Sequence, residues 1–309
     1  MRTISRDRCK LMVTFYFQLL TKNFRSSSPI SSAASGLLSL PSLLLSMYRA
    51  SAPNFYAANS SGNMFLYNDS LYLAEQLRLF VNHHESRSSS NGNSRLNLND
   101  DIAALVLFGK RAYGKAMETE RTILADQLEG AQGFANCTVP PFKEQCDGAV
   151  SFVVDYLRRL HEQWKPVLSN SALHQSIGSL LSTVTNKIIV AIEDMSDIEE
   201  TESQQLTAYC NRIAALDDLF LPEKSAVADS ENGGPIPLTA VYTPGWLKLQ
   251  YLSNILESSL VDINYMWRES ELSLEFEPRE VIDLIEALFA DSDYRRKAIN
   301  EIMRNPRKG

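Results

Sequence analysis

Turn-forming residues are scarce in this chain: 13 glycines and 12 prolines among 309 residues, well under the usual ~12% for the two together. A sandwich, barrel or propeller needs turns at short intervals, so those all-β architectures are disfavoured. Cysteine is scarcer still. Cys9, Cys137, Cys146 and Cys210 are too few and too scattered for a disulfide framework and have no metal-ligand spacing, which points to a reducing, cytoplasmic setting. The apolar run Leu11 to Leu20 is broken by Thr14 and Gln18 and falls short of the roughly 20 residues that span a bilayer. Positive charge is also short. Lys+Arg number 30 against 37 Asp+Glu, a net −7, which is a poor field for binding nucleic acid or anionic lipid.

The motifs of catalysis are missing too. The sequence has no Gly-rich phosphate loop, no dinucleotide fingerprint and no Gly-x-Ser-x-Gly elbow. His161-Glu162 has no second histidine one turn on, so the zinc-protease pattern fails. His83, His84, His161 and His174 read as solvated or capping side chains. The acidic group Glu193, Asp194, Asp197, Glu199, Glu200 and Glu202 lacks the spacing and the glycine of a calcium loop; negative charge at a helix start accounts for it through the macrodipole. No catalytic residue, cofactor or metal is expected, and the chain reads as a non-enzyme.

What is present is helical spacing. Leu66, Leu73, Leu77 and Phe80 share one face of a helix that ends at Asn91-Gly92-Asn93. Asn99-Asp100 opens the next, which runs toward Leu128, and Gly130, Gly133 and Pro140-Pro141 break the chain after it. Ala149, Val153, Tyr156, Leu160 and Trp164 predict a third helix stopping at Pro166. Leu173, Ile177, Leu180, Val184, Ile188, Ala191 and Met195 form the most regular stripe in the sequence. Ser196 with Glu199 predicts a capping box for a fifth helix carrying Leu206, Cys210, Ile213 and Leu216, and 226–239 predicts a loop. Thr243-Pro244 predicts the start of a sixth helix, with Leu249, Leu252, Leu256, Leu260, Ile263 and Trp267 inward. A seventh begins at Pro278, and Asp291-Ser292 cap a last one with Tyr294, Ala298 and Ile302. The expected fold is all-α, a stack of antiparallel helices.

Charge is unevenly placed. Arg2, Arg6, Arg8, Lys10, Lys22 and Arg25 face only Asp7 in the first 25 residues. Ser26 to Ser46 is a Ser/Leu/Ala low-complexity stretch. An Arg-rich, Ser-rich, acid-poor start resembles an organelle transit peptide; a disordered tail or a wrongly chosen start site is the preferred reading, with a transit or secretory signal as the alternative. The expected organisation is a tail over 1–50, a helical bundle over 51–165 and a C-terminal bundle over 166–309.

Two segments are more specific than helical spacing alone. One is Phe65-Leu-Tyr-Asn-Asp-Ser-Leu-Tyr-Leu-Ala-Glu-Gln-Leu77. The other is Val241-Tyr-Thr-Pro-Gly-Trp-Leu-Lys-Leu-Gln-Tyr-Leu252, continuing through Leu256-Glu-Ser-Ser-Leu-Val-Asp-Ile263 to Trp267, then Phe276 to Phe289 and Tyr294-Arg-Arg-Lys-Ala298. Together with Ile192-Glu-Asp-Met-Ser-Asp-Ile198, they resemble the C-terminal half of the Zeste-white ten family, in the family's order, over roughly residues 60–303. The resemblance implies consecutive antiparallel helical bundles forming an elongated tethering-complex rod with no catalytic centre. It also implies protein partners: a large α-solenoid subunit, a second helical-rod subunit and ER SNAREs in Golgi-to-ER vesicle tethering, or Rough-deal and Zwilch at kinetochores. Membrane association would be peripheral, through those partners at the ER, with no direct contact to nucleic acid.

For a partner-binding surface, Trp246 with Lys248 and Tyr251 is one candidate, since aromatics beside a basic residue have hot-spot composition. Trp246 reads equally well as core. Arg295 and Arg296 are candidates for a basic docking patch or for charge at a helix end. Asn68, Asp69, Trp164 and Trp267 read as structural.

Overall fold

The computed structural model describes residues 33–88, 98–221 and 237–304. It contains twelve α-helices and no strand among the described residues, as the spacing predicted. The helices are α1 (Ala33–Tyr56), α2 (Gly62–Ser88), α3 (Asn99–Glu129), α4 (Phe142–Trp164), α5 (Asn170–Glu193), α6 (Glu200–Ala214), α7 (Leu238–Tyr242), α8 (Trp246–Glu257), α9 (Leu260–Glu269), α10 (Leu272–Glu275), α11 (Pro278–Leu288) and α12 (Asp293–Arg304). They form two compact units that meet in sequence at Glu118 and Thr119, inside α3.

The first unit packs α1, α2 and the start of α3 around one core. Residues 33–50 belong to α1; residues 1–32, including the basic start of the expected tail, lie outside the described residues. Pro41 and Pro53 sit inside α1. Leu45, Tyr48, Ala52 and Tyr56, at helical spacing, nevertheless bury a continuous face against Leu66, Leu73, Leu77, Ile102 and Leu105. The Tyr56 hydroxyl donates to the buried Asp69 carboxylate, and Ser42 donates to Asp101 at 2.5 Å. The Asn91-Gly92-Asn93 terminator predicted for α2 lies outside the described residues.

The second unit is arranged about α5. Ser169 caps it by accepting from the Ala172 N–H. Leu173, Ile177, Leu180, Val184 and Ile188 are buried as expected, joined by Leu181, Ile189 and Ile192. A helix buried over so wide an arc must be covered from several sides, and α4, α7, α8 and α11 all pack on it. Where α7 crosses, Gly178 is obligatory: a Cβ there would stand 2.5 Å from the Tyr242 carbonyl oxygen. In α4 the buried face rotates slightly from expectation. Leu157 and His161 are inside, and Tyr156 is at the edge with its hydroxyl donated to Glu120.

Helix boundaries account for most of the differences. The capping box of α6 is Glu199 with Glu202, three residues after the predicted Ser196–Glu199 pair. Buried Ile198 donates its N–H to Ala287 O at 2.9 Å, which keeps the preceding link extended and delays the helix. The predicted sixth helix is two. Gly245, at φ 82°, is the residue before α8 rather than Thr243-Pro244, and only a residue without a Cβ holds that angle without strain. The chain breaks again at Ser258-Ser259, where Ser259 caps α9 by accepting from Asp262 N–H at 3.3 Å. Ser203 donates to Leu256 O, taking one of the carbonyls freed at the end of α8. At the C-terminus, Pro278 opens α11, and Ser292 caps α12 as expected by accepting from Arg295 N–H at 3.1 Å.

His174 on α5 lies with its ring centroid 5.5 Å from both Phe220 and Tyr242. His161 on α4 is buried beside it. Burial holds both imidazoles below the usual histidine value; at His161 the Glu162 carboxylate opposes this, and Lys165 and His174 reinforce it. Below about pH 6.5 the unfolded chain therefore binds more protons at these sites than the folded chain, so stability rises with pH through that window and falls as pH drops below it. The melting temperature is expected to decline from pH 7.5 to pH 5.5, and His161→Gln with His174→Gln to flatten that decline. An equal slope in the double variant would show that other groups carry it.

Two glycine substitutions separate close approach from helix propensity. Gly178→Ala is expected to destabilise the protein by about 1–3 kcal/mol through the clash with α7. Gly148→Ala, in α4 with nothing near its added methyl, is expected to stabilise it by about 0.5–1 kcal/mol. Urea denaturation of both variants checks the pair.

Candidate partner-binding surface

The residues singled out from the sequence do not assemble into one patch. Trp246, at the first position of α8, is 1% exposed and packs in the core. Lys248, two residues on, turns inward to a polar knot: its Nζ lies 2.8 Å from Glu193 Oε1 on α5 and 2.9 Å from Glu280 Oε1 on α11. The same ammonium stands 4.7 Å above the Phe276 ring. Burial works against the charge of Lys248, but the two carboxylates outweigh it and raise its pKa above the usual lysine value. Burial pushes the Glu193 carboxyl up while Lys248 pulls it the other way. Tyr251, half-buried, is the member of the trio that keeps part of its ring at the surface.

The basic pair divides as well. Arg295 donates to Phe289 O at 2.7 Å and Glu286 O at 3.3 Å, closing the C-terminal end of α11, where positive charge opposes the helix dipole favourably. Arg296 is exposed and paired with Asp291 and Asp293. Of the residues read as structural, Trp164 and Trp267 are buried and Asp69 accepts from Tyr56, while Asn68 is exposed.

Cys137, Cys146 and Cys210 are buried free thiols. Burial pushes Cys137 and Cys210 up to about 12 and Cys146 up to about 11, so they remain protonated and unreactive at neutral pH. Among the described residues no group of His, Cys, Asp and Glu could hold a metal ion, and no helix is long and apolar enough to cross a membrane.

One concave feature stands out in the second unit, a groove of about 600 Å³ between the turn 133–139 and the link from α5 to α6. Asp194, Asp197, Glu199 and Glu202 line it together with Val139, Ala191 and Met195. The sequence showed the acids together with Ala191 and Met195, but not Val139, which comes from a turn some 60 residues earlier in the chain.

The sequence has known counterparts. Residues 148–302 match the ZW10 C-terminal helical domain. The chain belongs to the ZW10 family. Among relatives, the centromere/kinetochore protein zw10 homolog of Rattus norvegicus is 27% identical over 199 residues, covering 63% of this chain and 25% of that protein. The zw10 homolog of Arabidopsis thaliana is 27% identical over 244 residues, 76% of this chain and 31% of that one. Centromere/kinetochore protein zw10 of Drosophila melanogaster is 28% identical over 161 residues, 50% and 20% respectively. The matched region thus spans less than a third of these relatives. ZW10 is a non-enzymatic family whose members imply partners in protein complexes.

The ZW10 match from 148 to 302 includes all three members of the knot, Glu193, Lys248 and Glu280. Lys248→Met would leave two partly buried carboxylates facing each other. It is expected to cost about 1–3 kcal/mol, less than the ~3–5 kcal/mol of breaking a fully buried pair. Adding Glu193→Gln should recover part of that loss in urea denaturation; equal stability of the single and double variants would show that the three groups are not coupled.

Proposed function

We propose that this protein is a non-catalytic scaffold subunit of a multisubunit tethering complex in Golgi-to-ER retrograde transport. In this reading it docks to a large α-solenoid partner, works beside a second helical-rod subunit and engages ER SNAREs. It sits in the cytoplasm, peripheral at the ER membrane, through those partners. The observation that carries the reading is the match of residues 148–302 to the ZW10 C-terminal helical domain. The architecture is in keeping with it: packed helical bundles with no strand among the described residues. Tethering is preferred because it is the more general role that the family resemblance implies. The kinetochore role, with Rough-deal and Zwilch, is the second reading, favoured by the names of the relatives, which are centromere/kinetochore proteins.

Affinity purification of the full-length protein, tagged at its own locus, with its partners identified by mass spectrometry, separates the two. Recovery of a large α-solenoid subunit with ER SNAREs is the expected result. Kinetochore proteins alone would replace the first reading with the second. Recovery of neither, with the protein inside an organelle, would overturn both.

A further inference from the structure

We propose that the outer face of α1 is a docking surface for a segment of this same chain, residues 11–25, which folds back on it and completes the first unit. The proposal is independent of the scaffold reading. Leu45, Tyr48, Ala52 and Tyr56 face the core. On the opposite side Leu43, Met47, Ala50 and Asn54 follow one another at i, i+4, i+7 and i+11, one line along the helix, and all four are exposed. Leu43 is 57% exposed and Met47 53%. Between Ala33 and Tyr56 the sole charged residue is Arg49, which is half-buried. The hydroxyls flanking the exposed line turn to their own helix: Ser46 donates to Leu43 O at 2.7 Å and Ser51 to Met47 O at 2.9 Å, so neither depends on water. In the same unit the outward side of α3 carries Lys110, Arg111 and Lys115, all exposed, as a helix facing solvent does. A helix without charge on either side is one built to be covered on both.

Residues 11–25 lie outside the described residues, and their sequence supplies the cover. Thr14, Gln18, Thr21 and Arg25 repeat the spacing i, i+4, i+7 and i+11, which predicts a helix with one polar line. Met12, Tyr16 and Leu19 lie opposite that line, at the same intervals as Leu43, Met47 and Ala50. The stretch 26–32 that follows, Ser-Ser-Ser-Pro-Ile-Ser-Ser, has the length of an ordinary connection between antiparallel helices. Laying the two helices antiparallel with Ser26 level with Ala33 sets Tyr16 level with Leu43 and Met12 level with Met47. A second copy or another protein seated on α1 would leave the apolar side of residues 11–25 in water beside it. The tethered segment covers both surfaces at once, and a short tether gives it an effective concentration of the order of mM.

The test uses the full-length protein, tagged at its C-terminus and made in its own cells, with a photocrosslinking amino acid at the position of Met47 and, as an outside reference, at exposed Val261. Crosslinked peptides are mapped by mass spectrometry, and the intact mass of the same material shows where the chain begins. The expected result is a crosslink from position 47 to a peptide within residues 11–25, in a product that migrates as one chain. Met12→Glu with Tyr16→Glu should reduce that crosslink at least about tenfold, since two apolar side chains leave the interface. Gln18→Glu with Thr21→Glu, on the polar line, should leave it unchanged, a difference that a merely adhesive tail would not give. A crosslink that joins two copies, reaches another protein or lands beyond residue 118 would overturn the proposal. So would no crosslink above the unirradiated level, an equal loss in both double variants, or a chain from which residues 11–25 have been removed. None of these outcomes bears on recovery of the partner complex, which judges the scaffold reading separately.

Discussion

Burial of α5 is the constraint on which the second unit depends. Leu180 is 0% exposed and Ile189 3%; nine residues apart, they lie on opposite sides of the helix, so no single neighbour could cover both. Each fully buried aliphatic side chain of this kind contributes on the order of 1.5–3 kcal/mol. Covering the whole arc needs α4, α7, α8 and α11 together. The short α7 is the most demanding of these contacts, because its backbone presses on Gly178 with no room for a methyl group. A five-residue helix has little stability of its own; it is held by Gly178 below, the His174–Tyr242–Phe220 ring cluster beside it and the Thr239 hydroxyl donated to Asp217.

Apolar burial sets which helices meet α5 but does little to fix their register, and polar contacts at its C-terminal end do that. Lys248 ties α8 to both α5 and α11, and Ile198 N–H joins the link after α5 to the last turn of α11. Partly desolvated charges add little net stability, since their attraction offsets a similar desolvation cost. Their effect is selective: a sliding of α8 by one turn would keep leucines inward but leave Glu193 buried without its cation.

Periodicity made the helices and most of their buried faces readable in advance, because a stripe such as Leu173 to Ile188 has one geometric explanation. It failed where local chemistry competes with it. The stripe from Leu249 to Trp267 continues straight through Ser258-Ser259, although those serines cap a new helix. The face from Leu45 to Tyr56 was hidden by the Ser/Leu/Ala-rich composition that leads into it. The fate of Trp246 and Lys248 was open for a different reason. An aromatic followed by a lysine has the same composition whether it faces a partner or a buried pair of glutamates, and Glu193 and Glu280 lie 55 and 32 residues away in sequence.

The same difficulty explains why acids in this chain must be sorted by position rather than counted. Glu199, Glu202, Glu277 and Glu280 sit at helix starts and are used there; Asp291 is held below the usual carboxylate range by Arg296 and Arg295. Each of these has a local reason to be negative. Asp194 sits at the opposite end of a helix dipole, where folding alone would favour a neutral or basic residue.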